Sequence, residues 1–567
     1  MKSYSKLPVL RRISQVAFFA AFLFLLLRTE FTGSFRGATG DTRLRWPVSI
    51  FLEADPLAGI TTALSTGTLY RGLLWSLVIL LPTFFLGRFF CGWICPLGTL
   101  NHFFGNLRSE KKRGKALLES NRYKRWYATK YYVLAAVLVA AVFGSLIAGF
   151  VDPIPLLVRS LALSILPGIN YATGSLIDAL YESPFAPVRF VADALQVAFQ
   201  GSLATFKQPH FRQGIFIGLI FVGLLALNLR VTRFWCRAVC PLGALLGVAS
   251  RWSLLHLKKD ESRCDQCNRC LMRCQGGDDP LPGTAWRKAE CHLCFNCVGQ
   301  CPTSGLEFGF GRPPAPGAMT EVPQLQRRRL LTGVVAGAAL VPLMRSTTGF
   351  AVEADPRLIR PPGALDEPHF LERCIRCGAC MKVCPNNALH PTFLEGGLEA
   401  MWTPVIVPRV GYCEPNCVLC STVCPTGAIW ELSVAEKLGR PAGATAASEP
   451  APAEGNPAGP GPVKIGTAFY DQGRCLPWAM ATDCIVCEEW CPTSPKAIFL
   501  VETEVVDAEA NTKTVRRPFV DAKRCIGCGA CEYACPVKDR PAVYITSVGE
   551  TRSKTNQFIL PAAPRRG

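Results

Sequence analysis

Thiols at metal-ligand spacing dominate the chemistry open to this chain. It carries 28 cysteines in 567 residues, and all of them fall into one scheme. Twenty-four form six four-cysteine runs. Cys264, Cys267, Cys270 and Cys274 are spaced C-x2-C-x2-C-x3-C, and Cys291, Cys294, Cys297 and Cys301 repeat that spacing. Cys374, Cys377, Cys380 and Cys384 repeat it again, as do Cys525, Cys528, Cys531 and Cys535. Cys413, Cys417, Cys420 and Cys424 have one extra residue in the first gap, and Cys475, Cys484, Cys487 and Cys491 have a longer first gap. Five runs end in Cys-Pro; Gln275 follows Cys274 instead. Three thiolates from a tight loop can hold one [4Fe-4S] cubane, while the fourth reaches the neighbouring cluster in two-cluster ferredoxins. The spacing predicts six [4Fe-4S] clusters with these 24 cysteines as iron ligands. It assigns Cys274 to the 291 cluster and Cys301 to the 264 cluster. Zinc knuckles separate two cysteine pairs by a long spacer, which these runs lack. Thiols serving as buried small hydrophobes would be scattered, not periodic. No C-x-x-C-H occurs, so no c-type haem is attached.

The other four cysteines form two matching motifs. Arg88-Phe-Phe-Cys91-Gly-Trp-Ile-Cys95-Pro-Leu-Gly98 recurs as Arg233-Phe-Trp-Cys236-Arg-Ala-Val-Cys240-Pro-Leu-Gly243. Each follows an apolar stretch. An Asp-Pro also recurs, as Asp55-Pro56 and Asp152-Pro153. The unit is apolar stretch, Asp-Pro, apolar stretch, Cys-x-x-x-Cys-Pro, used twice. A parallel repeat would gather the four cysteines at one face and the two aspartates at the other. Asp-Pro alone is also an ordinary helix-ending turn. The x3 spacing places both thiols of a motif on one side of a helical turn. Three readings of Cys91, Cys95, Cys236 and Cys240 stand: a further cofactor, redox-active thiols, or structure.

These residues need a membrane frame. The apolar stretches 13–27, 73–86, 131–151 and 214–229 are expected to be four transmembrane helices, the shorter ones extended by snorkelling arginines. The first reads as an anchor, because no small-residue cleavage site follows it. The net charge of +19 is not a nucleic-acid signature. It concentrates before the first stretch and in Arg108–Lys130, between the second and third, which by the positive-inside rule places the N-terminus in the cytoplasm. The loops 30–68 and 152–212 would then face outward, the second as short amphipathic helices on the surface; an additional buried hairpin is the other reading, disfavoured by Arg159, Asp178, Glu182 and Arg189 within it. None of the six histidines lies in these stretches, so no bis-imidazole b-haem can be built there. His102, seven residues past Cys95, is expected at the surface; contact with a quinone or a cluster is the other reading.

The chain therefore divides into four parts. Residues 1–250 form a helical membrane domain with an internal two-fold repeat, and 251–320 a cytoplasmic two-cluster ferredoxin domain. Residues 325–350, opening Arg327-Arg328-Arg329-Leu330-Leu331, read as a twin-arginine-like signal anchor or fifth span, retained uncleaved. Residues 351–567 form a periplasmic four-cluster domain of α+β ferredoxin-like modules, with a flexible Ala/Pro/Gly insert at 439–462.

On these motifs, residues 1–310 resemble NapH-type membrane quinol dehydrogenases, and residues 325–550 resemble NapG-type exported polyferredoxins; Arg360-Pro-Pro-Gly-Ala364 and the widened Cys475–Cys484 gap belong to the second likeness. The chain is similar to a fusion of the two. The resemblance implies oxidation of quinol from the membrane pool and delivery of electrons to a periplasmic c-type cytochrome or reductase, at a bacterial inner membrane, with the twin-arginine export machinery as a partner. Quinol oxidation releases two protons, and a carboxylate near the membrane surface is a fitting acceptor, which points to Asp55 and Asp152. Two alternatives differ in class: a maturation or regulatory ferredoxin of the NosR or copper-oxidase-assembly type, and a conduit from a cytoplasmic donor. One difficulty is geometric. Two clusters inside and four outside would be separated by about 30 Å of hydrocarbon.

Overall fold

The computed structural model describes residues 6–31, 33, 35, 41–109, 114–200, 209–311, 326–349, 355–440, 461–506, 512–553 and 556. The expected insert at 439–462 lies almost wholly outside them, as does the stretch around Ala351–Ala354.

The N-terminal part is helical. In order come α1 (Leu7–Arg28), α2 (Ser49–Glu53), α3 (Pro56–Thr66), α4 (Leu77–Leu86), α5 (Phe89–Trp93) and α6 (Pro96–Ser109). Then follow α7 (Lys115–Asn121), α8 (Thr129–Val142), α9 (Ala148–Val151), α10 (Pro153–Ser160), α11 (Leu166–Tyr181), α12 (Ala186–Gln200), α13 (Gly214–Leu227), α14 (Phe234–Ala238) and α15 (Pro241–Ala249). Each half contains two helix breaks at proline, where the missing N–H costs nothing at a first helical turn. The breaks fall at Asp55-Pro56, Cys95-Pro96, Asp152-Pro153 and Cys240-Pro241. At each one a side chain turns back to cap the new helix. Asp55 Oδ1 accepts from Leu57 N at 2.9 Å and Asp152 Oδ1 from Ile154 N at 3.3 Å. Cys95 Sγ accepts from Gly98 N at 3.4 Å and Cys240 Sγ from Gly243 N at 3.1 Å. The halves interlock: α3, headed by Asp55, packs on α15, headed by Cys240, and α10, headed by Asp152, packs on α6, headed by Cys95.

Among the described residues, two helical runs are long and apolar enough to cross a membrane, Leu7–Arg28 and Pro153–Tyr181. Arg71–Leu86 and Gly214–Leu227 are apolar but shorter. Residues 131–151 are not one helix, because α8 ends at Val142 and the chain turns before α9. The second of the long runs corrects an expectation. Residues 153–163 are not surface helices but a buried segment, with every residue of α10 inside the bundle. Arg159 made this stretch look too polar for that. Its charge is buried but partnered, with Nη1 donating to Gly149 O at 3.0 Å and Arg376 O at 2.8 Å, and the guanidinium lying 4.5 Å over Trp402.

The iron–sulfur regions sit at opposite ends of this bundle, and α1 measures the separation. Near its start, Arg11 donates to Gln275 Oε1 at 3.2 Å; just beyond its end, Glu30 pairs with Lys382 at 3.1 Å. A helix of 22 residues spans about 33 Å. At the first end, β1 (Leu255–Lys259) and β2 (Leu306–Phe310) form an antiparallel ribbon around the first two cysteine runs. At the other end stand three more ribbons. β3 (Leu389–Pro391) pairs with β4 (Pro404–Ile406), β5 (Thr467–Tyr470) with β8 (Val543–Thr546), and β6 (Ile498–Val506) with β7 (Thr512–Val520).

Helix Arg327–Gly349 lies along α8. Gly333 and Gly337 make the close approach: a Cβ on Gly337 would meet Ala136 O at 2.4 Å, and one on Gly333 Tyr132 O at 3.0 Å. Small residues four apart are a common device for packing apolar helices backbone to backbone. The twin-arginine-like segment is thus packed as part of the bundle.

Candidate iron–sulfur sites and the buried acid pair

The strict runs share one backbone signature. The residues immediately before and after the second cysteine have positive φ: Gln266 and Asn268, Leu293 and Phe295, Arg376 and Gly378, Gly527 and Gly529. A non-glycine residue held there costs about 1 kcal/mol, so the loop geometry is imposed by what the thiols must surround. The two runs with altered first gaps lack the pattern.

The fourth cysteine of each run crosses to its neighbour. Site 1 gathers Cys264, Cys267 and Cys270 with Cys301. Site 2 gathers Cys291, Cys294 and Cys297 with Cys274. Site 3 joins Cys374, Cys377 and Cys380 to Cys424, and site 4 joins Cys413, Cys417 and Cys420 to Cys384. Site 5 joins Cys475, Cys484 and Cys487 to Cys535, and site 6 joins Cys525, Cys528 and Cys531 to Cys491. Among the described residues, no three donors converge tightly enough for a single metal ion. The four thiols of sites 1, 4, 5 and 6 each line one shared space. Burial pushes the thiols of Cys377, Cys417, Cys475 and Cys528 up to about 12. Iron must therefore displace protons when it binds.

The sites form two files, one at each end of the bundle. Cys270 of site 1 lies near Cys297 of site 2, and Cys380 of site 3 near Cys420 of site 4. Cys413 N donates to Cys528 O at 2.8 Å, joining site 4 to site 6, and Cys531 of site 6 lies near Cys487 of site 5. Site 4 has a buried cation: Lys437 Nζ reaches Cys413 Sγ at 3.4 Å and the carbonyls of Glu414 and Cys417 at 2.7 Å each.

Site 3 meets the helical bundle. A Cβ on Gly149 of α9 would lie 2.3 Å from Ile375 O, so α9 touches the site-3 loop backbone to backbone. Arg376, in the same loop, donates to Leu146 O at 2.6 Å. Directly behind this contact the carboxyls of Asp55 and Asp152, both buried, face each other within hydrogen-bond reach. Asp55 Oδ2 has no protein donor. Two facing carboxyl groups complete such a contact only by sharing a proton. Both sit at helix N-termini, where the backbone dipole favours negative charge. The repeat thus brings the two aspartates together.

It also gathers the four remaining cysteines. Cys91, Cys95, Cys236 and Cys240 are all buried and unbridged, and lie within electrostatic reach of one another, near site 2. Two residues named from the sequence have contacts that the sequence does not show. His102 is half-buried, and its Nε2 meets Gln275 Nε2 at 2.7 Å. Gln275, the exception to Cys-Pro, bonds both His102 and Arg11 and so clamps site 2 to α1 and α6. Its departure from proline was the available signal.

The family description "4Fe-4S binding domain" matches residues 68–115 and 213–260, the segments carrying the two Cys-x-x-x-Cys-Pro motifs. Related descriptions of the same wording match 368–390 and 516–537. Ferredoxin-type protein NapG of Escherichia coli is 32% identical over 233 residues, covering 39% of this chain and 86% of that protein. The chain belongs to the NapG/MauM ferredoxin-type family. The methylamine utilization ferredoxin-type protein MauM of Methylorubrum extorquens is 33% identical over 225 residues, 37% of this chain and 84% of that protein. Beyond the NapG/MauM relatives, the putative electron transport protein YccM of Escherichia coli is 25% identical over 274 residues, 46% of this chain and 64% of that protein. No solved structure matches. The NapG/MauM-type thiol sites make the chain an iron–sulfur electron-transfer protein.

Proposed function

We propose that this protein is a membrane quinol dehydrogenase of a bacterial inner membrane. It oxidises quinol at the Asp55–Asp152 pair and sends the electrons outward through sites 3, 4, 6 and 5 to a periplasmic c-type cytochrome or reductase. In this reading all six thiol sites hold [4Fe-4S] clusters, the N-terminus is cytoplasmic, and the bundle crosses the membrane with its short apolar helices and proline-broken hairpins buried in protein, where irregular backbone is tolerated at membrane depth. The observation that carries it is the contact between α9 and the site-3 loop beside the acid pair. Quinol gives up two protons and two electrons. The carboxyl pair supplies a proton acceptor, and site 3 an electron acceptor one loop away. The long gap between inner and outer clusters then never has to be crossed for quinol oxidation.

The experiment is anaerobic quinol addition to membranes containing the full chain or the Asp152→Asn variant. Quinol bleaches the cluster absorbance of the parent, and the variant loses that response while dithionite still reduces it. Equal quinol-driven bleaching in both would remove the acid pair from the mechanism.

A second reading has its own support. Cys267 of site 1 is exposed at the far end of the bundle, an entry for a soluble cytoplasmic donor. Cluster reduction by a low-potential flavoprotein added to inverted vesicles tests that route.

A further inference from the structure

We infer that Tyr412, Trp490 and Tyr533 form the docking face for a soluble one-electron carrier whose cofactor edge is ringed by basic side chains, and that electrons leave the four-site domain there.

Three rings from three separate segments meet at the surface. Their centroids stand 5.9 Å apart for Tyr412 and Trp490, 5.5 Å for Tyr412 and Tyr533, and 5.9 Å for Trp490 and Tyr533. Trp490 is 44% exposed and Tyr533 42%, while Tyr412 is half-buried. Tryptophan and tyrosine carry much of the binding energy of protein interfaces, and contiguous exposed apolar surface marks such places. The cluster is held together from inside. Arg409, three residues before Tyr412, donates to the carbonyls of Glu532 at 3.3 Å, Cys535 at 3.1 Å, Val537 at 3.2 Å and Lys538 at 2.8 Å. That bonding ties the loop of Tyr533 to the loop of Tyr412.

The rings stand where three thiol sites come together. Tyr412 precedes Cys413 of site 4, and Trp490 precedes Cys491 of site 6. Tyr533 lies between Cys531 of site 6 and Cys535 of site 5. A carrier resting on the triad is therefore one residue from ligands of sites 4 and 6, and two from a ligand of site 5. Phe393, Trp430 and Tyr544 are also exposed in this domain, but none of them adjoins a cysteine.

Local charge selects the partner. The chain carries a net charge of +19, yet the rings are flanked by Glu414, Glu488 and Glu489. Glu489 is exposed and the other two half-buried, and none of the three is in an ion pair among the described residues. Glu532 is turned inward, accepting from Ile545 N at 2.7 Å. The next cations along the chain, Lys496 and Lys538, come six and five residues from the nearest ring. An acidic rim around an aromatic centre complements a basic rim, and opposite charge steers encounter and speeds association. Redox contacts bury little surface, typically under about 1,200 Å², so three rings and a rim suffice. In the transfer one cubane goes from 1+ to 2+ as the ferric haem of a basic c-type cytochrome becomes ferrous, and no proton or bond moves. This rests on the outward flow of the proposed function and not on quinol as the electron source.

The test uses the full chain in nanodiscs, reduced chemically and freed of reductant anaerobically. It is mixed by stopped flow with ferric basic cytochrome c and, separately, with an acidic c-type cytochrome. The parent should reduce the basic carrier faster, and lose that advantage as salt shortens the screening length to about 3 Å at 1 M. Trp490→Ser should slow the basic carrier by about tenfold or more at parental iron content. Glu488→Lys/Glu489→Lys should slow the basic carrier and speed the acidic one. A fully loaded Trp490→Ser protein at the parental rate would overturn the inference; should that variant lose iron, the charge-reversed variant decides, and unchanged rates with both carriers would overturn it. Hydroxyl-radical footprinting should label Trp490 and Tyr533 in nanodiscs and find them protected by added basic cytochrome. Protection by lipid alone, or by raised protein concentration alone, would give the face to the membrane or to a second copy and overturn the inference. A failed quinol assay leaves these rates untouched and sinks the proposed substrate alone.

Discussion

Gly149→Ala is the sharpest probe of the contact between the helical bundle and the four-site domain. The substitution adds one methyl group at a point where its carbon would fall 2.3 Å from Ile375 O and 2.7 Å from Ile375 C. Both neighbours are backbone, so no side chain can swing aside. Relief to an ordinary contact needs a displacement of about 1 Å between α9 and the site-3 loop. Misplacing reacting groups by that much can cost about 100-fold in rate. Site 3 would be pushed from the Asp55–Asp152 pair, and electron entry slowed, with the cluster ligands untouched. The assay is stopped-flow bleaching of cluster absorbance by a quinol in nanodiscs, with dithionite reduction and iron content measured in parallel. Gly149→Ala should bleach up to about 100-fold more slowly with quinol and normally with dithionite. Gly168→Ala, where nothing lies within 4 Å, is the control and should match the parent. A fully loaded Gly149→Ala protein with the parental quinol rate would refute the reasoning, because the contact would then carry no electrons.

Three other outcomes follow from the thiol sites and their surroundings. Lys437→Met should lower the site-4 midpoint by about 60–120 mV, since a charge-assisted bond is worth about 1.5–3 kcal/mol and 59 mV corresponds to about 1.4 kcal/mol for one electron; redox titration by paramagnetic resonance reads it. Crossed ligation predicts that Cys384→Ser removes the resonance that Lys437→Met moves, whereas Cys424→Ser leaves that resonance and removes another. Glu367 supplies a pH dependence. Burial would raise its carboxyl, but Arg360 and Arg552 outweigh burial and hold it at about 2, below its ordinary 4.5. Its contribution, roughly 2 kcal/mol after discounting for partial exposure, is fully present above about pH 4.5 and lost as pH falls through about 2. The difference in denaturant midpoint between the parent and Glu367→Gln should therefore stay constant from about pH 7 to 5 and shrink only below about 4.5.

Much of the site could be read from the sequence because ligand spacing is a local, covalent property. Cys264 to Cys274 must wrap together whatever the rest of the chain does. The recurrence of Asp-Pro and Cys-Pro was equally visible, and each marks a helix break capped by its own acid or thiol. What spacing could not reveal was long-range. Gln266, Asn268, Leu293 and Phe295 carry no signal for left-handed backbone; only Gly378, Gly527 and Gly529 in the matching positions do. Residues 153–163 were misplaced because Arg159 finds its partners at Gly149, Arg376 and Trp402, up to 243 positions away along the chain. His102 likewise finds its partner far off, in Gln275, 173 positions on. Burial of a polar group is decided by such partners, and they are absent from any local window.

The crossing of fourth cysteines has a consequence for the order of assembly. Sites 5 and 6 each need ligands from both cysteine runs of 475–535, and their cradle is closed by β5 pairing with β8. Site 6 cannot be completed before Cys531 has been synthesised, nor site 5 before Cys535, and the ribbon cannot close before Thr546. Nearly 80 residues must therefore wait, thiols reduced and iron withheld, and then fold and take up both clusters as a single event. A lesion in either run should empty two sites at once during biogenesis, even where the mature protein would tolerate losing one.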